Sequence, residues 1–118
     1  MPLEIEVEKH PHLQIVSLRG RLDSAGTPAF ETSMKLLIEA GEKRILIDCA
    51  DLRYVSSVGL GVFVASAQSL TASGGGLYFA GLTHHVRSVF EMVGFFGIFE
   101  VFPTRSEALE SPSLQPSA

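Results

Sequence analysis

The feature that most constrains this chain is the run Arg44-Ile45-Leu46-Ile47-Asp48, apolar at every interior position with no alternation. A strand with one wet face alternates apolar and polar residues, so a continuous run needs cover on both faces, supplied by helices on crossover connections. The flanking segments have the pattern of such helices. From Ser57 onward, Leu60, Phe63, Val64, Ala67 and Leu70 share a helical face while Ser66, Gln68 and Ser69 fall elsewhere, and Gly74-Gly75-Gly76 ends the segment. Before the run, Thr27 precedes Pro28 as a cap and first-turn pair, and Phe30, Met34, Leu37 and Ile38 line one side of a helix stopped at Gly41.

The remaining segments complete the pattern. Leu3-Glu4-Ile5-Glu6-Val7-Glu8 alternates with period two and reads as a first strand with a solvated acidic face. A short turn leads to Leu13–Arg19, so the two strands form an antiparallel hairpin. Asp51-Leu52-Arg53-Tyr54 is predicted to turn the chain toward Val55-Ser56-Ser57. Leu77–Ala80 is a further strand, Thr83 caps a short helix with Val86, Phe90 and Val93 inward, and Gly94 stops it. Ile98–Phe102 is the last strand, and Thr104-Arg105-Ser106-Glu107 has capping-box spacing for a terminal helix. The order β β α β α β α β α implies an α/β fold: a β-hairpin followed by right-handed βα crossover units, giving a four- to five-stranded mixed sheet with helices packed on it. The domain is expected over residues 1–110, with a flexible C-terminal tail over 111–118, which is rich in Ser and Pro.

Composition removes several function classes. At 118 residues one core suffices, and the single Cys49 provides neither a disulfide nor a structural zinc site. The formal charge of −4 opposes the basic footprint of a nucleic-acid binder. The acidic start lacks the bases of a secretion signal, and no apolar run reaches the length of a membrane span, so a cytoplasmic protein without membrane insertion is expected. His10 and His12 lie in a turn, and His84 and His85 diverge on a helix with no completing ligand, so no metal or other cofactor is expected. Phe90, Phe95, Phe96, Phe99 and Phe102 read as core and hairpin packing, with room for one of them to be exposed to a partner, and Cys49 as a small buried hydrophobe.

The segment Tyr54-Val55-Ser56-Ser57-Val58-Gly59-Leu60-Gly61 places two hydroxyls where a helix begins. One of them can cap the helix by accepting from an orphan backbone N–H. Alternatively, Ser57 accepts a phosphoryl group, whose charge of about −1.5 to −2 is tolerated at a helix start while the surface around it changes sign. Enzyme motifs fail here. A nucleophile elbow needs Gly-x-Ser-x-Gly but position 55 is Val, and a dinucleotide fingerprint needs a third glycine where Val64 stands. Gly59 fits better as a point of close backbone approach. Asp23, Asp48 and Asp51 suit turn and capping chemistry, or a polar rim around Ser57.

Over about residues 3–110 the chain resembles the STAS domain family, and in particular its stand-alone bacterial anti-sigma factor antagonists. The resemblance lies in Leu18-Arg19-Gly20-Arg21-Leu22-Asp23, Ile45-Leu46-Ile47-Asp48 through Asp51-Leu52, Ser57-Val58-Gly59-Leu60-Gly61-Val62, and Val89-Phe90-Glu91-Met92-Val93-Gly94, in the family's order and spacing. It implies a protein-binding switch without catalysis. The partner is an anti-sigma factor that is itself a serine kinase, with a serine phosphatase as a further partner. Ser57 stands at the position of the family's phosphorylated serine, Ser56 is the alternative acceptor, and Asp23 matches the acid after the second strand. The implied binding surface is Asp23, Ser24 and Thr27 with Ser56, Val58, Gly59 and Leu60. The family usually has Asp-Ser-[Ser or Ala]-Gly where this chain has Ser56-Ser57-Val58-Gly59, so the carboxylate before the acceptor is gone. The resemblance also admits a second role, a non-switching structural subunit of a lipid-transport ABC complex or a stress-signalling assembly, which the altered serine segment suits.

Overall fold

A computed structural model of the chain describes residues 2–115, and the expected apolar strand lies at its centre. That strand, β3 (Arg44–Val55), is flanked by two parallel neighbours, β2 (Gln14–Leu22) and β4 (Gly76–Ala80). β1 (Glu4–Lys9) pairs antiparallel with β2, and β5 (Glu100–Phe102) runs parallel to β4 at the far edge. The sheet order β1-β2-β3-β4-β5 is therefore the chain order. With α1 (Thr27–Glu39), α2 (Ser57–Ala72), α3 (His84–Val93) and α4 (Arg105–Glu110), this is the expected α/β architecture, a five-stranded mixed sheet.

β3 continues where a turn was predicted. Its pairing with β2 shifts twice, between Ser17 and Arg19 and between Gly20 and Arg21, each time with one extra residue on β3. These bulges put Cys49, Leu52 and Val55 inward at a spacing of three. A strand otherwise repeats every two residues, so the period that would have marked a strand over 51–55 is absent from the sequence.

Both faces of the sheet are covered. Val16, Leu18, Ile45, Ile47, Leu77 and Phe79 meet Phe30, Met34, Phe63, Leu70, Val86 and Phe90 from the helices in one buried cluster. Edge-to-face rings join α1 to α3 through the sheet, with Phe30–Phe63 at 5.6 Å, Phe63–Phe79 at 4.9 Å and Phe79–Phe90 at 5.1 Å. By alternation, Ile15, Leu46 and Ala80 point to the opposite face, where they pack with Ala108 and Leu114.

Some details depart from expectation. α2 packs against both α1 and the sheet, so Val62 and Ser66 are buried together with Phe63 and Leu70, while Leu60, Val64 and Ala67 are half-buried. Val93 is exposed at the end of α3. Gly94 (φ 77°) then passes the chain into a 3-10 turn at Phe95–Gly97, which leaves Ile98 in solvent and delays β5 to Glu100. Thr104 caps α4 through its hydroxyl, which accepts from Glu107 N–H at 3.1 Å.

Part of the segment expected as a flexible tail, 111–118, lies among the described residues. Pro112–Leu114 form a 3-10 turn, and Leu114 is fully buried beside the small Ala80 and Ala108, which leave it room. Gln115 Nε2 donates to Leu109 O at 2.8 Å, and the Tyr78 hydroxyl donates to Ser113 O at 3.4 Å. Positions 116–118 lie outside the described residues. Arg105 holds α4 to the sheet, donating to Asp48 Oδ2 at 2.9 Å and Ser17 Oγ at 3.0 Å and pairing with Glu8 Oε2 at 2.9 Å.

Candidate functional site

The parallel pairing of β2 and β3 brings two loops together. Leu22 is in register with Val55, and Ser56 N–H donates to Leu22 O at 2.9 Å, so the chain leaves both strands at adjacent carboxyl ends. Ligand crevices of open α/β sheets form at such ends.

The first loop is organised by Asp23. Its Oδ1 accepts from Ala25 N–H at 3.1 Å and Gly26 N–H at 3.0 Å, and its carbonyl accepts from the Thr27 hydroxyl at 2.6 Å. Thr27 was expected to cap α1. Instead it is the first helical residue and is buried, and Gly26 occupies the cap position without a side-chain bond. The Asp23 carboxylate instead bonds the N–H groups two and three residues on, ahead of the helix, and the threonine hydroxyl turns back to the Asp23 carbonyl. Ser24 is exposed at the loop tip.

In the second loop the two serines divide the two roles open in the sequence. Ser56 is the N-cap in extended conformation, and its Oγ accepts from Gly59 N–H at 3.3 Å. Ser57 is the first helical residue and is exposed, and its hydroxyl makes no hydrogen bond to the described residues. Val58 beside it is 55% exposed and Leu60 is half-buried. Gly59 is buried: a Cβ there would lie 2.8 Å from Leu22 Cγ and 3.2 Å from Leu22 O, so the close approach expected of this glycine is to the last residue of β2.

Sequence reasoning missed a third component. The Arg21 guanidinium lies 4.0 Å from the centre of the Tyr54 ring, with its Nε 3.8 Å from Asp23 Oδ2. Tyr54 in turn stacks on His85 of α3, with centroids 5.5 Å apart and planes at 15°. Arg21 faces Tyr54 only because the two bulges in β3 advance its register, and nothing in the sequence marks that offset.

The other candidates have structural positions. Asp48 is held by Arg105 and turns its other oxygen to Ala50 N–H at 3.0 Å, and Asp51 pairs with Arg19 at 3.6 Å. Cys49 is fully buried. Burial, and then the neighbouring Asp48 charge, push its thiol far up, which leaves it protonated and unreactive. Among the described residues no group of three or more His, Cys, Asp and Glu gathers at one point, and no helix is long and apolar enough to cross a membrane.

Fold and site together define a small α/β domain whose accessible chemistry, on two adjoining loops and the strand end before them, is a carboxylate, a free hydroxyl and a guanidinium. The STAS domain family matches residues 4–108, and the chain belongs to that family. BtrV of Bordetella bronchiseptica, described as a candidate anti-sigma factor antagonist, is 34% identical over 106 residues, spanning 90% of this chain and 91% of that one. An anti-sigma factor antagonist from Mycobacterium paratuberculosis superposes with a TM-score of 0.83 at 24% identity, covering 91% of each chain. The anti-sigma factor antagonist SpoIIAA superposes in its unphosphorylated form with a TM-score of 0.80 at 22% identity, covering 91% of this chain and 94% of that one. Bacillus SpoIIAA in its phosphorylated form superposes with a TM-score of 0.74 at 21% identity, covering 91% of this chain and 97% of that one.

Proposed function

We propose that this protein is an anti-sigma factor antagonist working as a phosphorylation switch in the cytoplasm. Unmodified, it binds an anti-sigma factor through the Asp23 loop and the start of α2, freeing the sigma factor. Phosphorylation of Ser57 by that partner, acting as a serine kinase, ends the binding, and a serine phosphatase restores it. The description of BtrV and the two forms of SpoIIAA support this reading. The observation that carries it is the division of labour between the serines: Ser56 Oγ caps the helix, whereas Ser57 Oγ is exposed and unbonded. A phosphoryl group on Ser57 leaves the cap intact and adds about −1.5 to −2 charges to the loop adjoining that of Asp23. The fold persists while the binding surface is altered, and the protein needs no catalysis of its own.

The test is affinity for the anti-sigma partner. Charge changes at a fitted interface are worth about 2 to 5 kcal/mol, or roughly thirtyfold to several thousandfold in Kd. Ser57→Asp is expected to bind at least thirtyfold more weakly at an unchanged melting temperature, and Ser57→Ala to bind constitutively. Wild-type affinity in Ser57→Asp refutes the switch at this residue. Intact mass of the protein from its host distinguishes the non-switching subunit role, which predicts no phosphate.

A further inference from the structure

A phosphoryl group on Ser57 creates an electrostatic difficulty that the domain must meet locally. Asp23 follows Leu22, whose carbonyl accepts from Ser56 N–H, so a dianion on Ser57 is added to a rim that already holds a carboxylate, and like charges that approach each other oppose ionisation of both. Between Asp23 and Phe30 and between Tyr54 and Ala72 there is no Lys or Arg. Arg21 is a cation that its neighbours hold at this rim. Its guanidinium lies over Tyr54, two residues before Ser56, and its backbone precedes Leu22, whose carbonyl accepts from Ser56 N–H. The contact with Asp23 Oδ2 is long, at 3.8 Å, and the side chain is 47% exposed, so the guanidinium is free to exchange partners. The turn does not depend on it, because Asp23 Oδ1 alone accepts the Ala25 and Gly26 N–H groups.

We propose that Arg21, parked on Tyr54 beside Asp23, is the binding residue for the phosphoryl group of modified Ser57. The inference rests on the phosphorylation reading above and adds the group that stabilises the modified state. In the unmodified protein the guanidinium stacks on the ring and faces Asp23 Oδ2. In the modified protein it turns to the phosphoryl oxygens, where a fork of N–H donors and a dianion make charge-assisted hydrogen bonds. The Asp23 turn persists, and Oδ2 loses its cation. Modification thus replaces a carboxylate paired with arginine by a phosphate paired with arginine and a bare carboxylate, a change spanning both loops.

The experiment uses the full chain with phosphoserine installed at position 57 during translation, so that it depends on neither a kinase nor a binding partner. The second ionisation of the phosphate, ordinarily near pH 6, is followed by phosphorus NMR in wild type, Arg21→Gln and Arg21→Lys. With Arg21 present it is expected about half a unit or more below the ordinary value. Arg21→Gln should return it to that value or above, and Arg21→Lys should fall between. Melting curves of the unphosphorylated variants check that the fold is kept, which the half-exposed position of Arg21 favours. Equal titration in wild type and Arg21→Gln overturns the proposal. A lowered value with undiminished anti-sigma binding would instead keep the clamp and refute the switch.

Discussion

Gly59→Ala tests the close approach of α2 to β2. The added Cβ would stand 2.8 Å from Leu22 Cγ, 2.9 Å from Leu22 Cδ2 and 3.2 Å from Leu22 O. Ordinary carbon contacts are at about 3.5–4.0 Å, so the helix start or Leu22 must move by roughly an ångström. Leu22 is fully buried with no space to retreat into, and its carbonyl accepts from Ser56 N–H at 2.9 Å, so its backbone is tied as well. Overpacking of this kind costs about 1–3 kcal/mol, offset by up to about 1 kcal/mol from the better helix propensity of alanine. The expected net loss is about 1–2 kcal/mol. Gly61, two residues on, is exposed and has no atom within 4 Å of its would-be Cβ, so Gly61→Ala should gain about 0.5–1 kcal/mol. Urea unfolding of the three proteins measures both, as midpoint shifts of opposite sign at constant slope. Equal stability of Gly59→Ala and wild type, or shifts of the same sign for both variants, would refute the steric argument.

Leu114→Ala should lose about 2–4 kcal/mol in the same assay, because it empties a fully buried site; a loss below about 0.5 kcal/mol would show that the segment is not part of the core. Arg105→Met removes the partner of Asp48, whose side chain is only 15% exposed, and should cost about 1–3 kcal/mol; a variant as stable as wild type in urea would contradict this. Cys49 should resist a thiol reagent at pH 8 under native conditions and react in denaturant. Burial raises its pKa on folding, so the unfolded chain releases the proton first. Its stabilising contribution is full below the ordinary thiol value of about 8.5 and declines as pH rises above it. Unfolding free energies measured between pH 7 and 10 on wild type and Cys49→Ala isolate that slope, which should be absent from the variant.

The elements most legible in the sequence are those whose period survives folding. Ile45-Leu46-Ile47 identified the central strand because both its faces are covered, and Gly94 marked the end of α3 because a positive φ is needed there. The rest of β3 was hidden by its bulges, which turn a two-residue period into a three-residue one at Cys49, Leu52 and Val55. The inward turn of Ser66 follows from contact with α1, a tertiary effect no local pattern carries. At the site, the nearness of the Asp23 loop to the serines follows from parallel pairing of two recognisable strands. Which serine caps, and which aromatic ring carries Arg21, depend on backbone angle and register that residue types alone leave open.

Because the strands lie across the sheet in the order of synthesis, each new strand of a nascent chain finds its neighbour already made. Assembly can proceed outward from the first hairpin with little searching, since adjacent pairings close only modest loops. Arg105 is the exception. It reaches Glu8 across 97 residues and Ser17 across 88, fastening the last helix to the first strands. The domain is therefore built like a garment closed by its final button: a chain halted before α4 can have formed most of its sheet yet lack the clasp that Arg105, with Ala108 and Leu114 packed against Ile15, makes between end and beginning.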